Sequence, residues 1–269
     1  METKDFDNSE WEIECTSDVW GKLMASKLTF SVLKDVIETL QEFAKGIFTS
    51  CICEAIDPGD LFKTIEIFES GPLLWEIAVC FSPRLTGAEE RSSNVYTETV
   101  RIWDIVKNAK EKEDSLKKIK ESYLRGSECM IEKYITCSDK LNASCFGGKQ
   151  RLPRKYIECS RSDIHIKNAQ KLIFPASHLA TEYHILKFYS FTTEMAKCTL
   201  QSADNSKDFP FKVTEVEHSI INLCSTSPIL LLGRSGTGKT TCCLYRLCHR
   251  YNTCSGVIER EFHEEGIAI

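Results

Sequence analysis

Residues 233–241 read Gly233, Arg234, Ser235, Gly236, Thr237, Gly238, Lys239, Thr240 and Thr241. As far as Thr240 they match G-x-x-x-x-G-K-[ST] at every position, a pattern that cradles phosphates. Each residue type has a physical role. Glycines let the backbone take unusual dihedrals and come close to a ligand. Successive N–H groups then face inward as an anion nest, assisted by a helix N-terminus. Lys239 is placed to reach β- and γ-phosphates, and the Thr240 hydroxyl to ligate Mg²⁺. Thr241 is placed for the α-phosphate, while Arg234 and Ser235 are variable positions facing solvent. At ordinary residue frequencies a chance match in a chain of this length has odds of roughly one in a hundred. The expected ligands are therefore ATP and Mg²⁺.

Such a loop needs a strand before it and a helix after it. "PILLL" at 228–232 is a continuous apolar run, as a buried parallel strand requires. "TTCCLYRLCHRY" then predicts a helix with Leu244, Leu247 and Tyr251 on one face. Upstream, "FKVTEVEHSIINL" predicts a short amphipathic helix. One strand and one helix leave both faces of a parallel sheet short of cover, so the loop is expected to be weakly held.

The rest of the chain reads as a separate α+β unit. Leu33, Val36, Ile37, Leu40, Phe43, Ala44 and Ile47 recur at helical spacing within 28–48, with Gly46 as the stop. "LFKTIEIFES", "LLWEIAVCF" and "YTETVRIWDIV" predict three strands of an antiparallel meander, the second stopped by Pro83. Residues 107–126 predict a solvated helix with Leu116, Ile119, Tyr123 and Leu124 as its apolar stripe. The organisation expected is a polar tail over 1–20 and an α+β unit over 21–137. A linker and helical segment over 138–210 follows, with the helix at 179–201. The start of a nucleotide-binding domain at 211–251 and a divergent tail at 252–269 complete the chain.

Composition narrows the function classes. The net charge is −5, so the chain lacks the basic footprint usual in nucleic-acid binders. The opening residues METKDFDNSEWEIE are acidic and do not read as a signal peptide. With no stretch of membrane-spanning length, the expectation is an intracellular protein that does not enter a membrane. There are 14 cysteines but no C-x-x-C pair, which favours small buried side chains over metal ligands or disulfides.

The loop, its strand and its lead-in helix resemble the UvrD-like superfamily 1 helicases. That resemblance implies a RecA-like α/β P-loop NTPase domain, here truncated, with ATP hydrolase activity and possible contact with nucleic acid. It implies a glutamine that reads adenine, but the matching position holds Glu217. A carboxylate accepts hydrogen bonds and does not donate them. Hydrolysis also needs an acidic pair on a later strand and transition-state arginines. Glu259, Glu261, Glu264 and Glu265 are the acids available, and none follows an apolar strand.

"GPLLWEIAVCFSPR", "YTETVRIWDIV", "ATEYHILKFYSFTTEMA" and "PILLLGRSGTGKTTCCLYRL" further resemble the TPR and ankyrin repeat-containing protein family, over residues 20 to 250. That likeness implies the region leading into a helicase-like domain, and hence a fragment of a longer enzyme. The helices and meander of 28–126 resemble the small RelE/ParE toxin-like fold, without a convincing catalytic set. The function expected is ATP binding without hydrolysis by this chain alone. The alternative is a non-enzymatic interaction module with a vestigial phosphate loop.

Overall fold

The computed structural model describes residues 5–25, 28–48, 63–67, 71–86, 94–125, 150–159, 170–173, 187–201, 209–223, 228–232 and 238–264. The chain divides into two units, Met1–Lys212 and Val213–Ile269. The first unit runs β1 (Glu12–Thr16), α1 (Ser17–Met24), α2 (Phe30–Ala44), β2 (Lys63–Ile67), β3 (Gly71–Phe81) and β4 (Val95–Ile105). It continues with α3 (Ala109–Arg125), β5 (Lys155–Cys159), β6 (Gln170–Ile173), β7 (Phe188–Ser190) and α4 (Thr193–Gln201). The second unit contains α5 (Glu215–Ile221) and α6 (Lys239–Glu264).

The β2-β3-β4 ribbon is antiparallel, with Ile65 opposite Leu73 and Ile77 opposite Val100. Beyond β4 the order continues to β1 and β7. β1 runs parallel to β4, pairing Glu14 with Arg101, and antiparallel to β7. β5 takes the other end of the same β4 edge, pairing Tyr156 with Tyr96, and carries β6 alongside it.

Alternation along the strands sends Ile13, Cys15, Val100 and Ile102 into the main core, joined by Leu73 and Trp75. There they meet Val36, Ile37, Leu40 and Phe43 of α2 and Met195 and Ala196 of α4. Each Val, Leu, Ile, Phe or Met among them contributes about 1.5–3 kcal/mol of burial free energy. Phe43 and Phe48 lie 4.6 and 5.8 Å from Trp75, ring centre to ring centre. Thr29 caps α2 by accepting from the Val32 N–H. The helix stops at Gly46, whose φ of 75° suits glycine. A Cβ there would lie 2.0 Å from the Arg151 carbonyl oxygen, so the 150–154 segment crosses at a point only glycine leaves open.

Three expectations are corrected. Within the polar tail expected over 1–20, Glu12–Thr16 forms an interior strand and Ser17 opens α1. Its acidic appearance misleads: Ile13 and Cys15 enter the core, while Glu14 meets Arg101 on the opposite face. The α+β unit does not close at 137, since β5, β6, β7 and α4 all belong to it. Of the helix expected over 179–201, Thr193–Gln201 is helical but Phe188–Ser190 is a strand paired with β1, and 179–186 lie outside the described residues. Of the linker and helical segment expected over 138–210, residues 138–149 and 202–208 are among those outside the described residues.

A further correction concerns "PILLL". Residues 228–232 form no strand, and among the described residues no strand pairs with them. Leu230 is 81% exposed and Leu232 84%. Burial of a parallel strand needs neighbours on both edges and layers on both faces, which the described elements do not supply.

Candidate functional site

Within the second unit, α6 begins at Lys239 directly after Gly238, which has φ 77°. The Gly238 carbonyl accepts from the Cys242 N–H at 2.9 Å, the first rung of the helix. A left-handed glycine leading into a helix N-terminus is the backbone arrangement an anion nest requires. Lys239, Thr240 and Thr241 therefore occupy the first turn, with Thr240 and Thr241 exposed. The first turn carries no acidic residue to repel a phosphate. Gly233, Arg234, Ser235, Gly236 and Thr237 lie outside the described residues. The described residues Gly238 to Thr241 thus bring backbone room, one cation and two hydroxyls together at the start of a helix.

The short helix α5 stands beside this segment. Thr214 caps it and accepts from the Glu217 N–H at 3.3 Å. The Glu217 carboxylate accepts in return from the Thr214 N–H at 2.9 Å and from its hydroxyl at 3.0 Å. This reciprocal capping box gives Glu217 a structural role at the position where the helicase resemblance implied a base reader. His218, on the next position of α5, has its pKa lowered by burial and then by the charge of His249 on α6. Glu259, Glu261 and Glu264 sit on α6, a helix, and Glu265 lies outside the described residues. Among the described residues, no group of three or more His, Cys, Asp or Glu could hold a metal ion.

The first unit contains a second polar constellation. On the sheet face opposite the main core, Arg101 Nε donates to Glu14 at 2.6 Å, and its Nη1 lies 3.6 Å from Glu76. Lys212 Nζ donates to Glu14 at 2.8 Å from 198 residues away. Trp103 Nε1 donates to Glu76 at 2.9 Å, and the Arg101 guanidinium stacks 4.4 Å from the Phe188 ring centre. Burial by itself would push Glu14 up. The Lys212 ammonium and the Arg101 guanidinium outweigh it and hold the carboxyl well below the usual carboxylate range. Burial likewise opposes the Lys212 charge, but the Glu14 carboxylate prevails and raises that amine above its ordinary value.

Composition concealed this group, because its members come from β1, β3, β4 and the end of the unit. Its only signal in the sequence was the alternation of Glu12 and Glu14 with Ile13 and Cys15. Every member is matched by an opposite charge or a donor, so the arrangement performs neutralisation. A neighbouring cavity of about 280 Å³ is lined by Trp103, Asp104, Ser115, Lys118 and Ile119 among others. Of its three carboxylates, Asp104 accepts from Lys22 at 2.6 Å and from Ser115 at 2.5 Å, and Asp18 from Lys118 at 3.5 Å. No described helix is long and apolar enough to cross a membrane.

No family model matches the sequence, and no solved structure matches it. The human TPR and ankyrin repeat-containing protein 1 is 37% identical over 271 aligned residues, which take in 93% of this chain. The chain spans only 9% of that relative's length. Through that long and nearly complete alignment of its own residues, the chain belongs to the TPR and ankyrin repeat-containing protein family.

Proposed function

We propose that residues 233–241 bind the phosphates of a nucleoside triphosphate, with Mg²⁺, in a chain that does not hydrolyse the nucleotide by itself. The observation that carries this reading is Gly238 at φ 77° opening directly onto Lys239 at the start of α6. The glycine supplies backbone room, the helix end supplies N–H donors, and Lys239 supplies charge. Thr240 is the residue that would ligate Mg²⁺. The metal, when bound, neutralises phosphate charge. Among the described residues after Lys239 there is only helix, with no strand to present an acidic pair to water, so binding is the part of the chemistry these residues support. ATPase or helicase activity, and any contact with nucleic acid, would belong to a longer protein of the UvrD-like kind.

Titration of the intact chain with MgATP and MgGTP in a calorimeter tests this. Lys239→Ala is expected to abolish the heat of binding, and absence of binding by the unsubstituted chain would sink the proposal. A second reading, a non-enzymatic interaction module with a vestigial loop, draws on the exposure of Leu230 and Leu232. It predicts no nucleotide response at all.

A further inference from the structure

The geometry points to Arg246 as the positioning residue of the phosphate site, an inference that rests on the nucleotide-binding reading above. α5 has only 7 residues, too few to persist as an isolated helix. Its two ends are held differently. At the N-terminus the capping box of Thr214 and Glu217 satisfies the first donors. At the C-terminus the carbonyls need partners from elsewhere. Asn222 takes the His218 carbonyl through its backbone N–H at 3.0 Å and its side-chain amide at 2.9 Å. Arg246 Nη1 donates to the last two, Ile220 O at 2.8 Å and Ile221 O at 3.3 Å, and Ile220 O also accepts from the Leu223 N–H at 3.4 Å.

Arg246 belongs to α6, the helix that begins at Lys239. At 1.5 Å of rise per residue it sits about 10 Å along the axis from that lysine, too far down the helix to share its phosphate. It ties the C-terminus of α5 to α6 nonetheless, and so to the helix that opens at Lys239. Apolar packing gives little alternative hold. Ile221 and Cys242 are the buried apolar residues described in this unit, while Leu244 and Leu247 are 57% and 65% exposed. A cation at the negative end of the α5 dipole adds to the attraction. Arg246 therefore sets the frame in which Gly238, Lys239 and Thr240 meet a ligand, without touching it.

The test compares Arg246→Leu and Arg246→Lys in the full chain by two measurements. Amide hydrogen exchange is expected to quicken over 215–221 in Arg246→Leu, while amides in the middle of α6 keep their protection. MgATP affinity is expected to fall about tenfold in Arg246→Leu and to recover at least partly in Arg246→Lys, whose ammonium also donates to carbonyls. Unchanged exchange over 215–221, or unchanged MgATP affinity beside a Lys239→Ala loss, overturns the inference. If the unsubstituted chain binds no MgATP, the nucleotide reading fails by itself, and the exchange result alone decides whether Arg246 holds α5.

Discussion

The two units invert the usual distribution of residue types. Met1–Lys212 buries charges: Glu14, Glu76 and Arg101 are each 2% exposed, and Lys212 reaches in among them. Val213–Ile269 exposes leucines: Leu230, Leu232, Leu244 and Leu247 all stand largely in solvent. The sheet of the first unit has enough strands and covering helices to bury both faces, and a full set of counter-charges on the polar one. The described part of the second has two helices and an unpaired apolar stretch. Completeness of the layers, rather than residue polarity, decides what ends up inside.

The largest effect expected from breaking this contrast comes at Arg101. Arg101→Leu leaves Glu14 and Glu76 buried without their shared guanidinium, and a loss of about 3–5 kcal/mol is expected in urea unfolding followed by tryptophan fluorescence. A loss under about 1 kcal/mol would mean that the carboxylates simply protonate or hydrate, and that the network is not a structural requirement.

Acidification should separate the two units by window. Glu14 is held below its ordinary value of 4.5, so the unfolded chain binds the extra proton below that pH. The stability Glu14 supplies is present above pH 4.5 and lost as the pH falls further. His218 is held below its ordinary value of 6.5, so its unfolded form takes up a proton first. Amides of α5 are therefore expected to lose protection as the pH drops through 6.5, before the sheet amides respond. Simultaneous loss in both units would contradict the separation.

The smallest effect is expected on the leucine face. Leu244→Gln with Leu247→Gln should change unfolding free energy by no more than about 0.5 kcal/mol, as for other exposed positions. The same pair should reduce binding of a hydrophobic dye. A larger destabilisation would show that these leucines are packed.

Local pattern carried much of this structure in the sequence. The apolar spacing of α2, the dense apolar run of β3 and the alternation of β4 all act within a few residues. What escaped was long-range. β1 looked acidic because its neutralising partners are 87 and 198 residues away. β7 is a strand only because β1 lies beside it. The apolar run at 228–232 erred the other way, since local hydrophobicity promises burial only if something arrives to cover it. At the candidate site, Lys239 and Thr240 were legible from motif spacing, whereas the Arg246 clamp depends on where α5 ends.

The interior placement of β1 also sets a timetable. A ribosome adds about 5–20 residues per second, so Glu14 waits on the order of 5–20 s for Arg101 and 10–40 s for Lys212. During that interval β1 lacks the cations that neutralise it and the β4 strand it pairs with. Its two carboxylates, Glu12 and Glu14, keep the nascent segment hydrated and repel other copies of it. The charges that are neutralised in the finished molecule thus act beforehand as protection against premature strand pairing.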